Sequence, residues 1–297
     1  MAPSISALAG ETRGQDCSVS SPKYQALEID LSEVTPVELL HESDDSRVFR
    51  GRWQEKDCCH YTKRYEPDLL KEYEIDPFLC ESRAYCRLKA RGLCEKGHIP
   101  DFYGLIHNIE LKTDGWESHL QPFSGEPELP NAVVIEFIPN LRPFELSTYS
   151  PERADQLKAT LIEMHELGVL HGDLERRNVK VQEERNRALW IDFDRAVIFP
   201  LDSRTEREEQ NMRKWVAEEQ ALLSQTLVEL AEDHKRGKIW WSWYWHYGWF
   251  EPSGWTEEDT VAKNAALDAA KQGTLAAEHA WFKPPDNWPE TTSKGTS

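Results

Sequence analysis

The segment that most constrains this chain is His171–Asn178, HGDLERRN, followed by Asp192 in LWIDFD, fourteen residues past Asn178. Ser150-Pro151-Glu152 is a capped helix start, and Leu157, Leu161, Met164 and Leu167 then recur at spacings of three and four as far as Gly168. The chain runs from that helix straight into the polar loop and on to Val179-Lys180-Val181. Leu189-Trp190-Ile191 then reads as a short apolar strand ending in a carboxylate. Helix, loop and two short strands together deliver Asp173, Asn178 and Asp192, two carboxylates and an amide, into one stretch of chain.

What precedes this stretch has a different period. VELLHE, RVFRGRW and CCHYTKRYE, separated by the polar turns Ser43–Ser46 and Gln54–Asp57, predict three antiparallel strands. Asp76-Pro77 opens a helix through FLCESRAYCRLKARG, with Gly92 as its C-cap. His98–His107 and Asn131–Pro139 read as further strands, with the polar stretch 112–130 between them as a loop. After Pro139 strands give way to helices, including a charged stretch at 203–236 and an Ala-rich one at 256–280. The expected organisation is a tail at 1–29, a β-rich N-terminal lobe at 30–139, a helical C-terminal lobe at 140–283 and a tail at 284–297.

Charge narrows the partners. With 35 basic against 53 acidic residues the formal charge is -18, so the average surface repels nucleic acid polymers and anionic membranes. The six Cys show no zinc spacing and are expected as reduced thiols. The first residues lack the basic and apolar regions of a signal peptide, and no apolar run reaches the ~18 residues that a span needs. A cytoplasmic location is the expectation. Six of the twelve Trp fall in KIWWSWYWHYGWFEPSGW, and most of their rings are expected in the core of the helical part.

Phosphoryl transfer needs a carboxylate to orient the acceptor hydroxyl and an amide oxygen five residues on to hold Mg²⁺, the spacing of Asp173 and Asn178; Asp192 would be a second metal ligand. In HGDLERRN and IDFD the sequence resembles the protein kinase superfamily. The HGD and IDFD forms are closer to its aminoglycoside and choline phosphotransferase relatives, and LERRN to the tyrosine-kinase form of the loop. The resemblance covers about 35 to 200. It implies an α+β, two-lobed protein kinase-like fold and an ATP- and Mg²⁺-dependent transfer to a hydroxyl of a protein Ser/Thr or a small molecule.

The resemblance also assigns upstream roles. Lys63, on the third strand, would hold the α- and β-phosphates; Glu81, on the first helix, would fix that lysine; Glu136 and Ile138 would present backbone groups to adenine. His171 would brace the loop. Two roles fit Arg177, contact with a phosphate or stabilisation of the loop carboxylate. The sequence departs from the family at ESDDSRVFRG, where a Gly-rich loop should lie, at Gly172, where many protein kinases have Arg, and at Asp194, which replaces the Gly of D-F-G. No A-P-E motif follows. The alternative reading is a pseudokinase that acts as a binding or scaffold module.

Overall fold

Short antiparallel strands build the N-terminal half. The computed structural model describes residues 25–43, 46–63, 76–242, 256–258, 260, 261 and 265, with 60–63 described by backbone alone. Strands β1 (Thr35–Glu42), β2 (Ser46–Trp53) and β3 (Lys56–Lys63) form the expected antiparallel set. Helix α1 (Pro77–Ala90) follows, its Asp76 carboxylate accepting from the Phe78 and Leu79 N–H groups and Pro77 in its first turn. Strand β4 (Phe102–Ile106), the short helix α2 (Glu117–Leu120) and strand β5 (Asn131–Glu136) complete this half, and the sheet order is β1-β2-β3-β5-β4.

From β2 across to β4 both faces of that sheet are buried, while β1 is an exposed edge. On one face Val48, Cys59, Val133 and Ile135 pack into a core shared with Tyr85 and Leu88 of α1. On the other, Phe49, Cys58, Ala132 and Val134 pack against Ile109, Trp116, Leu120 and Phe123. The expected loop at 112–130 is therefore a lid on the sheet's second face. Trp116 is fully buried, its ring 5.4 Å from Phe49, and its indole N–H donates to the Val34 carbonyl at 2.9 Å. The expected strands at 98–107 and 131–139 are shorter, spanning Phe102–Ile106 and Asn131–Glu136. Residues 27–29, at the end of the expected N-terminal tail, run beside β4, where Leu27 and Ile29 exchange backbone hydrogen bonds with Leu105.

Among the described residues, the second half is built on two long helices. A two-residue strand β6 (Arg142–Pro143) leads to α3 (Pro151–Glu166), capped by the Ser150 hydroxyl and ended by Gly168 at φ 67°. Strands β7 (Val169–Leu170), β8 (Val179–Gln182), β9 (Arg187–Trp190) and β10 (Val197–Ile198) pair as β10-β7 and β6-β8-β9. Helix α4 (Glu206–Arg236) begins with a full capping box between Thr205 and Glu208 and ends at Gly237, φ 72°. The chain is thus α+β, with a β-rich N-terminal region and a helical part. Among the described residues no helix is long and apolar enough to cross a membrane.

Bonds at His98 fasten the halves: the Trp190 N–H donates to the His98 carbonyl and His98 Nδ1–H donates to the Ala188 carbonyl at 2.9 Å, while the Trp190 indole donates to the Leu157 carbonyl within the second half. Cys58, Cys59, Cys80, Cys86 and Cys94 are buried and form no disulfide among the described residues. Burial pushes the Cys58 thiol up to about 11 and the Cys59 thiol up to about 12, so neither is a nucleophile near neutrality. Most of the Trp-rich stretch and of the expected helix at 256–280, and the tail at 284–297, lie outside the described residues.

Candidate functional site

The loop between β7 and β8 is held from within by the residues that the spacing singled out. The Asn178 amide donates to the Asp173 carbonyl and to Asp173 Oδ2, both at 3.0 Å. Arg177 donates to the same Oδ2 at 2.6 Å and also pairs with Glu175. Of the two roles open for Arg177, stabilisation of the loop carboxylate is the one seen. Asp173 Oδ1 and Asn178 Oδ1 accept no hydrogen bond from a described residue, so each group keeps one oxygen for something else. The Ile191 N–H donates to the Asn178 carbonyl at 3.0 Å, which brings the start of the Ile191–Asp194 turn against the loop. Asp192 follows at φ 65°, left-handed backbone that a non-glycine residue rarely adopts and that is concentrated at functional sites.

Gly172 has a mechanical reason. Its φ is 79°, and a Cβ there would lie 2.0 Å from the Arg195 carbonyl oxygen. An arginine at this position would clash with the chain just past Asp194, so the loop can approach that turn only through glycine.

His171 is wholly buried and braces the loop, its Nε2–H donating to the Ile191 carbonyl at 3.0 Å. Its ring starts a column of buried rings: Phe193 at 4.9 Å, Tyr85 of α1 5.2 Å further on, and Phe102 of β4 5.7 Å beyond that. The column ties the loop to the helix and sheet of the N-terminal half. Glu81, one turn before Tyr85, is fully buried in α1. Lys63 ends β3 opposite Ser46 and Asn131 in the sheet, and its side chain lies outside the described residues.

Glu219 of α4 anchors the loop, and nothing local in the sequence marks it. Its carboxylate accepts from the Gly172 N–H at 2.6 Å, the His171 N–H at 3.3 Å and His165 Nε2 at 2.7 Å. A carboxylate holding three donors in a buried place fixes their geometry more firmly than neutral acceptors would.

The segment leaving β5 is braced as well. The Glu136 N–H donates to the Asp101 carbonyl, whereas the buried Ile138 makes no backbone hydrogen bond with a described residue through its N–H. Of the two residues expected to meet adenine, Ile138 has the available donor. Behind this segment, an open cavity of about 650 Å³ includes Gly97, Asp101, Glu136 and Arg187 in its lining. Arg187 already binds the Gly97 carbonyl, Gln182 and Glu136, so this cavity is a polar brace.

At the expected Gly-rich position the two ends of the β1–β2 hairpin bond each other. The Ser43 N–H donates to the Ser46 carbonyl, and the two hydroxyls lie 2.9 Å apart. Glu42 next to it adds negative charge and pairs with Arg47. On β8, burial lowers the Lys180 ammonium below its ordinary value, with Arg176 adding to the shift and Asp192 opposing it.

Compared with known proteins, the chain matches no family model and no curated sequence.

Proposed function

We propose that this chain is an ATP- and Mg²⁺-dependent phosphotransferase of two-lobed, protein kinase-like fold, acting on a hydroxyl. The observation that carries the reading is the bonded pair Asp173 and Asn178, each with one side-chain oxygen left over, joined through Ile191 to the strained turn at Asp192. Sheet order, the buried Glu81 and the ring column from His171 to Phe102 support it further.

In this reading Asp173 Oδ1 accepts the proton of the acceptor hydroxyl, while Asn178 and Arg177 hold Oδ2 so that the carboxylate cannot rotate away. Asn178 Oδ1 and Asp192 are hard oxygen donors that fit Mg²⁺. When bound, the metal would neutralise charge on the transferring phosphates. Ile138 offers its N–H to the base, and Lys63 with Glu81 would serve the α- and β-phosphates. Only residues 199–205 separate β10 from α4, a short connection in which to lay an extended peptide, and this favours a small-molecule hydroxyl over a protein Ser/Thr.

One observation favours a second reading, a pseudokinase that binds a partner. The Ser43–Ser46 segment lacks glycine, and the flanking Glu42 carries negative charge. Calorimetry with ATP, with and without Mg²⁺, on the wild type and on Asp192→Ala separates the two. Mg²⁺-dependent binding that Asp192→Ala abolishes is the expected result; no binding at millimolar ATP would favour the partner-binding module.

A further inference from the structure

Lys180 interrupts the apolar strand β8, and its neighbours define which way it faces. Val179 and Val181 are fully buried in the core that also holds Phe193. Alternation along a strand therefore turns Lys180 and Gln182 to the opposite face. Gln182 marks where that face looks, because its Nε2 donates to the Pro139 carbonyl at 3.2 Å, one residue past Ile138. Two residues before Lys180, the Asn178 side chain meets Asp173. Lys180 thus stands between the segment proposed to meet a base and the residues proposed to handle phosphate.

Its ammonium has no bonded partner, and Asp192 attracts it only from a distance. Lys180 is half-buried, yet its ammonium makes no hydrogen bond or ion pair with a described residue. The nearby cations are otherwise engaged, Arg176 with Glu145 and Arg177 with Asp173 and Glu175. In a chain of formal charge -18, a partly desolvated cation that Asp192 attracts only through space, without an ion pair, is an incompletely compensated cost that a ligand anion would offset. At the hairpin, the hydroxyls of Ser43 and Ser46 bond each other, the Ser43 N–H donates to the Ser46 carbonyl, and ESDDS carries no cation.

We infer that Lys180 binds the polyphosphate of a nucleotide from the β8 side, supplying charge that the hairpin does not. This rests on the phosphotransferase reading for the identity of the ligand as a nucleotide; the anion site itself does not need transfer to occur.

The test is calorimetry of the full chain with Mg²⁺ and ATP, adenosine or tripolyphosphate, on the wild type, Lys180→Met and Lys180→Arg, each checked for an unchanged melting transition. Loss of one charged hydrogen bond predicts that Lys180→Met weakens ATP and tripolyphosphate about tenfold to about a hundredfold. Adenosine affinity should stay unchanged, and Lys180→Arg should recover most of the loss. Lysine labelling of the wild type, read by mass spectrometry, needs no variant to fold: tripolyphosphate should protect Lys180. A folded Lys180→Met variant that binds both phosphate ligands like the wild type would overturn the inference. So would a wild type that binds neither, or labelling of Lys180 indifferent to tripolyphosphate. Lys180-dependent binding without Asp173-dependent transfer would remove the transferase reading and leave the anion site standing. Transfer by a Lys180→Met variant that binds ATP and tripolyphosphate like the wild type would do the reverse.

Discussion

Replacing Glu219 by Gln should unfasten the loop that carries Asp173 without leaving a hole in α4. The wild-type carboxylate takes three donors, the N–H groups of His171 and Gly172 and the imidazole of His165. An amide keeps one acceptor oxygen and turns an NH₂ group toward a donor, so at least one buried donor loses its partner and the others lose the charge assistance. One unsatisfied buried group costs about 1–3 kcal/mol, and weakening the rest brings the expected loss to about 2–4 kcal/mol. Urea denaturation followed by tryptophan fluorescence reads this as a lower midpoint at constant slope. The neighbouring Glu218→Gln is the control, because Glu218 is exposed and only weakly paired with Lys214; its change should stay within about 0.5 kcal/mol. Since two of the Glu219 bonds land on the residues just before Asp173, turnover should fall more than ATP affinity. A Glu219→Gln loss under about 1 kcal/mol would refute the anchoring argument.

Three further outcomes follow from the same geometry. Gly172→Ala should destabilise the chain by about 1–3 kcal/mol or more through backbone strain and the clash with Arg195, measured as a lowered melting temperature. Trp116→Ala should cost about 3–5 kcal/mol in denaturant titration, because the indole fills the sheet's second face and its N–H is bonded. Burial, opposed by the Gln225 amide and reinforced by Asp233, pushes the Glu229 carboxyl up to about 8 from an ordinary 4.5. The folded protein then keeps a proton that the unfolded chain releases, so stability is full below the ordinary value and falls as pH rises toward about 8. Unfolding free energies between pH 5 and 8 should decline in the wild type, and Glu229→Gln should flatten that slope.

Local chemistry made much of the fold legible. Asp76-Pro77 and Ser150-Pro151 mark helix starts because a capping oxygen and a proline satisfy the same first turn, and both caps are present. The three strands before Lys63 follow from turn signals at fixed spacing. The lid over the sheet was hidden because Trp116, Leu120 and Phe123 lie in a polar stretch that supports only one turn of helix. Asp173 and Asn178 were legible as a pair because five residues of loop bring them together. Glu219 was not, since it reaches the loop from 47 residues away and in sequence resembles any acidic position of an exposed helix. Gly172 read as a missing arginine until the approach of Arg195 showed what a side chain would strike. Lys180 is in sequence one polar residue between two valines, and only the face shared with Gln182 distinguishes it.

The most direct test of phosphotransfer is ATP consumption by the wild type and Asp173→Ala in the presence of Mg²⁺ and a panel of hydroxyl acceptors, choline- and sugar-like alcohols and generic protein substrates, with ATP affinity measured in parallel. The account predicts acceptor-dependent ADP formation by the wild type that Asp173→Ala abolishes while binding ATP as before. Equal turnover in the two proteins would contradict it.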